Sequence, residues 1–219
     1  MASMSWLLSS ASGLAMGLSL IVSIGAQNAF ILRQGIRREH VLPVVAVCIA
    51  SDVLLIGAGV AGFGSLVLSA PWILQVARFG GAAFLTAFGV MAVRRAVRPA
   101  ALTVDETAGT SPAGPSGAGR RAPVLIALAL TWLNPQVYLE TVVLLGSVAA
   151  ARGEQLGDTA RWWFGGGAMT ASVLWFSALG LGARYLRPLF AQQAAWRVLD
   201  AGVAVMMFAL ATLLVVNPL

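Results

Sequence analysis

Long apolar runs dominate the chain, and short polar or glycine-containing blocks punctuate them. About 20 apolar residues are needed to cross the hydrocarbon core of a bilayer. Runs of that order cover Trp6–Leu32, Val41–Gly64, Trp72–Val93, Val124–Ala151, Trp162–Ala183 and Val198–Val216. The pattern predicts six transmembrane helices. The first and fourth runs are longer than a single crossing requires, and both are interrupted midway. Gly25-Ala26-Gln27-Asn28 breaks the first, and Trp132-Leu133-Asn134-Pro135-Gln136 breaks the fourth. In lipid such a break is tolerated only where protein or a water-lined cavity satisfies the freed backbone groups. Breaks at corresponding positions of two halves are a pointer to a transporter's binding site.

Between the third and fourth runs, Pro99 to Ala122 is rich in Pro, Gly, Ser, Thr and Ala. It cannot bury enough apolar surface to fold, so a flexible linker is expected. The division is then a first three-helix repeat over 1–94, a linker over 95–122 and a second three-helix repeat over 123–219. Three spans per half force the halves into opposite orientations. The expected fold is all-α: a polytopic membrane protein of two inverted three-helix repeats, with helices 1 and 4 broken. The halves echo each other weakly, Gly25-Ala26-Gln27 against Asn134-Pro135-Gln136 and Arg78 with Gly81 against Arg197 with Gly202.

Charge sets the expected orientation. Arg33, Arg37 and Arg38 follow the first span, Arg94, Arg95, Arg98, Arg120 and Arg121 separate the third from the fourth, and Arg184, Arg187 and Arg197 separate the fifth from the sixth. The opposite face carries Arg78, Arg152 and Arg161, offset by Glu154 and Asp158. The positive-inside rule puts the arginine-rich loops in the cytoplasm and both termini outside. Trp6, Trp72, Trp162 and Trp163 fall near span ends, as an interfacial aromatic belt requires.

Composition narrows the function. Only 10% of residues are charged and 59% are hydrophobic, against roughly a quarter charged in soluble domains. The net charge of +6 lies at span ends with no interleaved aromatic stripe, so nucleic acid is not an expected partner. One cysteine, Cys48, and one histidine, His40, leave no internal disulfide and no metal site or cofactor to expect. Motifs for zinc hydrolysis, serine hydrolysis or phosphate binding are absent, and the chain is not read as an enzyme.

Candidate chemistry gathers at mid-membrane. Pro135 lacks an N–H and would free the carbonyl of Thr131. Asn134 and Gln136 flank it, and Gln136 shares a helical face with Glu140. Gln27 and Asn28 follow Gly25 in the first break. Asp52 sits near the middle of the second run and Glu140 in the fourth. An acid at a helix centre costs about 3 kcal/mol on insertion scales, which makes each a functional candidate. Asp200 follows Arg197 by three residues at a span end, so a solvated surface pair is expected there. Ser51, Thr170, Ser172 and Trp175 could line the same cavity or simply bond neighbouring helices. Small residues such as Gly13 with Gly17 and Gly165-Gly166-Gly167 are spaced for close helix contact.

The segments Ser23-Ile24-Gly25-Ala26-Gln27-Asn28-Ala29-Phe30, Arg33-Gln34-Gly35-Ile36-Arg37-Arg38, Ser51-Asp52 and Leu130-Thr131-Trp132-Leu133-Asn134-Pro135-Gln136-Val137-Tyr138-Leu139-Glu140 resemble the lysine exporter family, in its basic amino acid branch. The likeness reaches Arg161-Trp162 and Ser172 to Phe176. Two positions depart from the family pattern: proline is usual where Ala26 stands, and aspartate where Glu140 stands. The resemblance implies export of arginine or lysine across a bacterial cytoplasmic membrane. Substrate would meet Gln27, Asn28, Asp52, Asn134, Pro135, Gln136, Glu140, Ser172 and Trp175. Asp52 and Glu140 would carry the coupling proton. Expected partners are a basic amino acid, protons and lipid, with a second copy of the chain left open. An exporter of a neutral amino acid or other small solute is the nearest alternative, and an ion channel a more distant one.

Overall fold

The structure is a computed structural model and describes residues 2–22, 25–64, 69, 71–97, 118–186 and 188–216. The regular secondary structure among them is helical. The central part of the expected linker, residues 98–117, and Ser23 and Ile24 of the first motif lie outside the described residues.

Helix α1 (Ala2–Ile21) and α2 (Ala26–Arg37) are the two halves of the first span, bent by 83°. Helix α3 (Val41–Val60) is the second span, and α4 (Pro71–Val97) contains the third. The fourth span is again broken: α5 (Ala118–Trp132) and α6 (Pro135–Leu156) meet at 61°. Helix α7 (Asp158–Gly182) runs into a short 3₁₀ turn at Ala183–Leu186, and α8 (Gln193–Val216) is the last described helix. Among the described residues, four helices are long and apolar enough to cross a membrane alone; each bent pair counted as one span brings the number to six.

The breaks have local causes. Gly25 sits extended at the N-cap of α2, with no side chain to cap it, so helical backbone resumes only at Ala26. Gln27 and Asn28 are therefore the first turn of α2, not part of the interruption. In the fourth span Asn134 is the N-cap, its side chain accepting from the Gln136 N–H at 3.1 Å, and Pro135 takes the first helical position. Proline is at home there, because that N–H has no intrahelical acceptor in any case. Pro135 thus starts the second half of the broken fourth helix. Within α6, Leu139–Leu144 is π-helical, a local widening found frequently at functional sites.

Packing divides the helices unequally. Helix α7 is the hub, laid against α1, α2, α3 and α6, while α3 also packs on α5 and α6. Helices α4 and α8 pack chiefly on each other and touch α2, α5 and α6 at few places. Lipid supplies no hydrophobic force between helices, so close backbone contact must do the work. The glycines at Gly59 and Gly146 show it, because a Cβ on Gly146 would overlap the backbone of Gly59 where α3 and α6 cross. Gly13 and Gly17 likewise admit Phe164, Ala168 and Ala171 of α7 against α1. The main apolar core joins Phe30, Val44, Phe88, Leu130, Phe176 and Met207 from six helices. Trp6, Trp72, Trp162 and Trp163 are exposed near helix ends, as an interfacial belt requires.

Candidate functional site

Both breaks open onto one cavity of about 120 Å³. The first turn of α2 (Ala26, Gln27, Asn28) and the start of α6 (Gln136, Val137) line it, together with Asn134, Asp52 of α3, and Glu140 and Thr141 of the π-helical turn. Leu20, Ile21, Phe176 and Leu210 supply its apolar wall. Two half-helices thus present their N-termini to a shared space, each with the positive end of its backbone dipole.

In each broken span the second half reaches back to the first. Asn28 donates its Nδ2 to the Ile21 carbonyl at 2.8 Å, and the Tyr138 hydroxyl donates to the Trp132 carbonyl at 2.7 Å. Both acceptors are final carbonyls of a half-helix, which have no acceptor role left inside it. At each break, protein thus satisfies one of the carbonyls that the bilayer could not. The Tyr138 ring also meets Trp132 edge to face, with centroids 6.4 Å apart.

Four hydrogen bonds cross between helices around the cavity. Thr131 of α5 donates to Gln27 Oε1 of α2 at 3.1 Å, sharing its proton with the Ala127 carbonyl. Trp132 Nε1 donates to Ser51 Oγ at 3.1 Å, Trp175 Nε1 to Asn28 Oδ1 at 3.2 Å, and Ser172 Oγ to Asp52 Oδ2 at 2.7 Å. Such bonds average about 0.6 kcal/mol in a membrane protein. Their combined stabilisation is small, so their main effect is to fix orientation. Among the described residues, Gln27 Nε2 is buried without a hydrogen-bond partner.

The two acids differ in setting. Asp52 is 4% exposed and held by Ser172. Glu140 is less enclosed, and its Oε1 accepts from Gln136 Nε2 at 2.7 Å along the helical face the sequence indicated. One carboxylate oxygen of each remains for another donor among the described residues.

Of the sequence-derived candidates, Gln27, Asn28, Asp52, Asn134, Gln136 and Glu140 come together on the cavity wall. Ser172 and Trp175 stand one layer behind, each bonded to a lining residue. Pro135 is fully buried at the start of α6. Ser51 serves Trp132, and Thr170 is exposed and bonds the Gly166 carbonyl of its own helix. Sequence reasoning missed Thr131 and Thr141. Both look like ordinary helix residues, and only the fold brings Thr131 against Gln27.

Asp200 corrects an expectation. It is 3% exposed, not solvated, and its partners are Arg33 of α2 and Arg95 of α4, while Arg197 is exposed. Spacing along one helix suggested Arg197, but α8 packs against α2 and α4, and Arg33 and Arg95 from those helices take Asp200 instead.

The LysE type translocator profile matches residues 18–218. A relative from Mycobacterium tuberculosis, whose name assigns it amino-acid transport only provisionally, is 49% identical over 91% of this chain and 93% of its own. The lysine exporter LysE of Corynebacterium glutamicum is 39% identical over 91% of this chain and 94% of its own. The arginine exporter protein ArgO of Klebsiella pneumoniae subsp. pneumoniae is 38% identical, covering 91% and 89%. No solved structure matches the chain significantly. With two broken spans meeting at one cavity and the family's match running through both, this chain belongs to the LysE type translocators, a family of multi-pass membrane transporters.

Proposed function

We propose that the protein exports a basic amino acid, L-arginine or L-lysine, from the cytoplasm by alternating access. The observation that carries this reading is the shared cavity, where two half-helix N-termini and two carboxylates face one another. A free basic amino acid carries one anionic and two cationic groups. The α2 N-terminus suits its carboxylate: Gly25 leaves that end without a side-chain cap, whereas Asn134 caps α6 itself. Asp52 and Glu140 suit its cationic groups. The lysine and arginine exporters among the relatives support the same substrate class.

The transport cycle is read from the two halves. Span 1 packs on span 5 and span 4 packs on span 2, the reciprocal pairing that an inverted repeat of 1–94 and 123–219 would produce. The arginine-rich face is taken as cytoplasmic, and both termini as external. Exporting one cation against an inside-negative potential costs about 2.3 kcal/mol per 100 mV. A returning proton, carried by Asp52 or Glu140, would make the exchange electroneutral.

The test is efflux of labelled arginine and lysine from proteoliposomes, with and without an imposed proton gradient. Saturable efflux, accelerated by the gradient and lost in Asp52→Asn, is the expected result. Efflux of neutral amino acids at equal rates, or normal arginine efflux from Asp52→Asn, would overturn the assignment.

A further inference from the structure

Outside the cavity, the buried carboxylate of Asp200 gathers two partly buried arginines. Asp200 Oδ1 on α8 accepts from Arg33 Nη1 on α2 and from Arg95 Nε on α4, the latter at 3.3 Å. Trp196 lies beneath Arg33 and Arg37 at 5.7 and 6.0 Å, its own Nε1 fixed on the Phe190 carbonyl at 2.7 Å. The cluster stands at the arginine-rich end of the helices. Arg33 is six residues beyond Gln27, or about 9 Å along α2 from the cavity wall.

Two features make this cluster more than a static brace. First, it joins helices from the two unequal packing groups. Arg33 rides on α2, which packs on α7, whereas Arg95 and Asp200 ride on α4 and α8, which pack chiefly on each other. Second, it is incompletely satisfied. Two guanidinium groups share one carboxylate oxygen, and Arg95 Nη2 is buried without a hydrogen-bond partner among the described residues. Buried polar groups left unpaired penalise the state that holds them. A joint built this way favours closure only modestly.

The geometry points to an ionic latch: the Arg33–Asp200 pair closes the cavity toward the arginine-rich face and parts when α4 and α8 swing away from α2, while Arg95 stays with Asp200. This rests on the alternating-access reading above. The two arginines thus have opposite effects. Arg33 is the contact that breaks, and Arg95 competes with it for the same oxygen. Removing Arg33 opens the latch, whereas removing Arg95 leaves Asp200 to Arg33 alone.

The experiment measures access to the cavity directly. In the full chain with Cys48→Ser, a reporter thiol Val137→Cys on the cavity wall is alkylated by a membrane-impermeant maleimide, applied to either face of oriented vesicles. Arg33→Gln is expected to speed labelling at least tenfold from the arginine-rich face and not from the other. Asp200→Asn should do the same, Asp200→Glu should restore slow labelling, and Arg95→Gln should not speed it. Unchanged labelling in Arg33→Gln, equal acceleration from both faces, or equal acceleration by Arg95→Gln would overturn the latch. If Asp200→Asn does not accumulate in the membrane, the contrast between Arg33→Gln and Arg95→Gln decides alone. Labelling requires no knowledge of the solute, so this result stands apart from whether arginine or lysine is the cargo.

Discussion

Ser172 of α7 donates its hydroxyl to Asp52 Oδ2 of α3 at 2.7 Å, and both side chains are almost wholly enclosed. At the upper end, a hydrogen bond between helices of a membrane protein contributes about 1.7 kcal/mol, or somewhat more than tenfold in an equilibrium. Ser172→Ala is expected to lower the initial rate of arginine efflux about tenfold without abolishing it, whereas Asp52→Asn abolishes it. Initial rates from proteoliposomes of matched protein content check both. A Ser172→Ala rate equal to the parent's would mean that the bond orients nothing the cycle needs.

Glu140 differs, because its partner Gln136 lies one turn back on the same helix and the carboxylate borders the cavity. If it meets the cationic side chain of the solute, Glu140→Gln removes one member of a charge pair, a loss of about 2 kcal/mol or more. Half-saturating arginine should rise about thirtyfold, while competition by neutral amino acids changes little. Glu140→Asp keeps the charge with one methylene less reach and should fall between. Equal loss for charged and neutral competitors would place Glu140 in the scaffold and not at the cation.

How much of this could be read from the chain is clearest at particular residues. The spans and both breaks were legible because lipid imposes a length on every crossing and forbids unsatisfied backbone, so polar blocks such as Asn134-Pro135-Gln136 stand out. Gln136 and Glu140 were legible as neighbours because helical spacing is local. Asp200 was not. Its partners, Arg33 and Arg95, lie 167 and 105 residues away, and no local spacing encodes such a contact. The role of Tyr138 was equally hidden, since its hydroxyl finds a carbonyl that is exposed only because the helix breaks at Trp132.

Gly146 meets the backbone of Gly59, and no flexible side-chain end is available there to move aside. Overpacking a filled interior costs about 1–3 kcal/mol. Gly146→Leu should therefore lower the melting temperature in detergent by about 5 °C or more. Gly202 has open space where a Cβ would stand, and Gly202→Leu should melt with the parent. Equal melting of all three proteins would show that α3 and α6 can separate without loss.

The start of α6 separates two residues that sequence alone treats as one motif. Asn134 caps the helix by accepting from the Gln136 N–H, and Gln136 in turn holds Glu140. Losing an N-cap costs about 1 kcal/mol, and here it would also release the turn that carries the cavity amide. Pro135 occupies the first helical position, fully buried, where alanine also fits without a missing hydrogen bond. Asn134→Ala should therefore reduce efflux about fivefold or more, Asn134→Asp should retain most of it by keeping the cap oxygen, and Pro135→Ala should stay within about twofold of the parent. If the proline acted by kinking a continuous helix, the order would reverse, with Pro135→Ala the damaging change. Efflux rates of the three variants, normalised to protein in the membrane, decide between a capped half-helix and a kinked whole one.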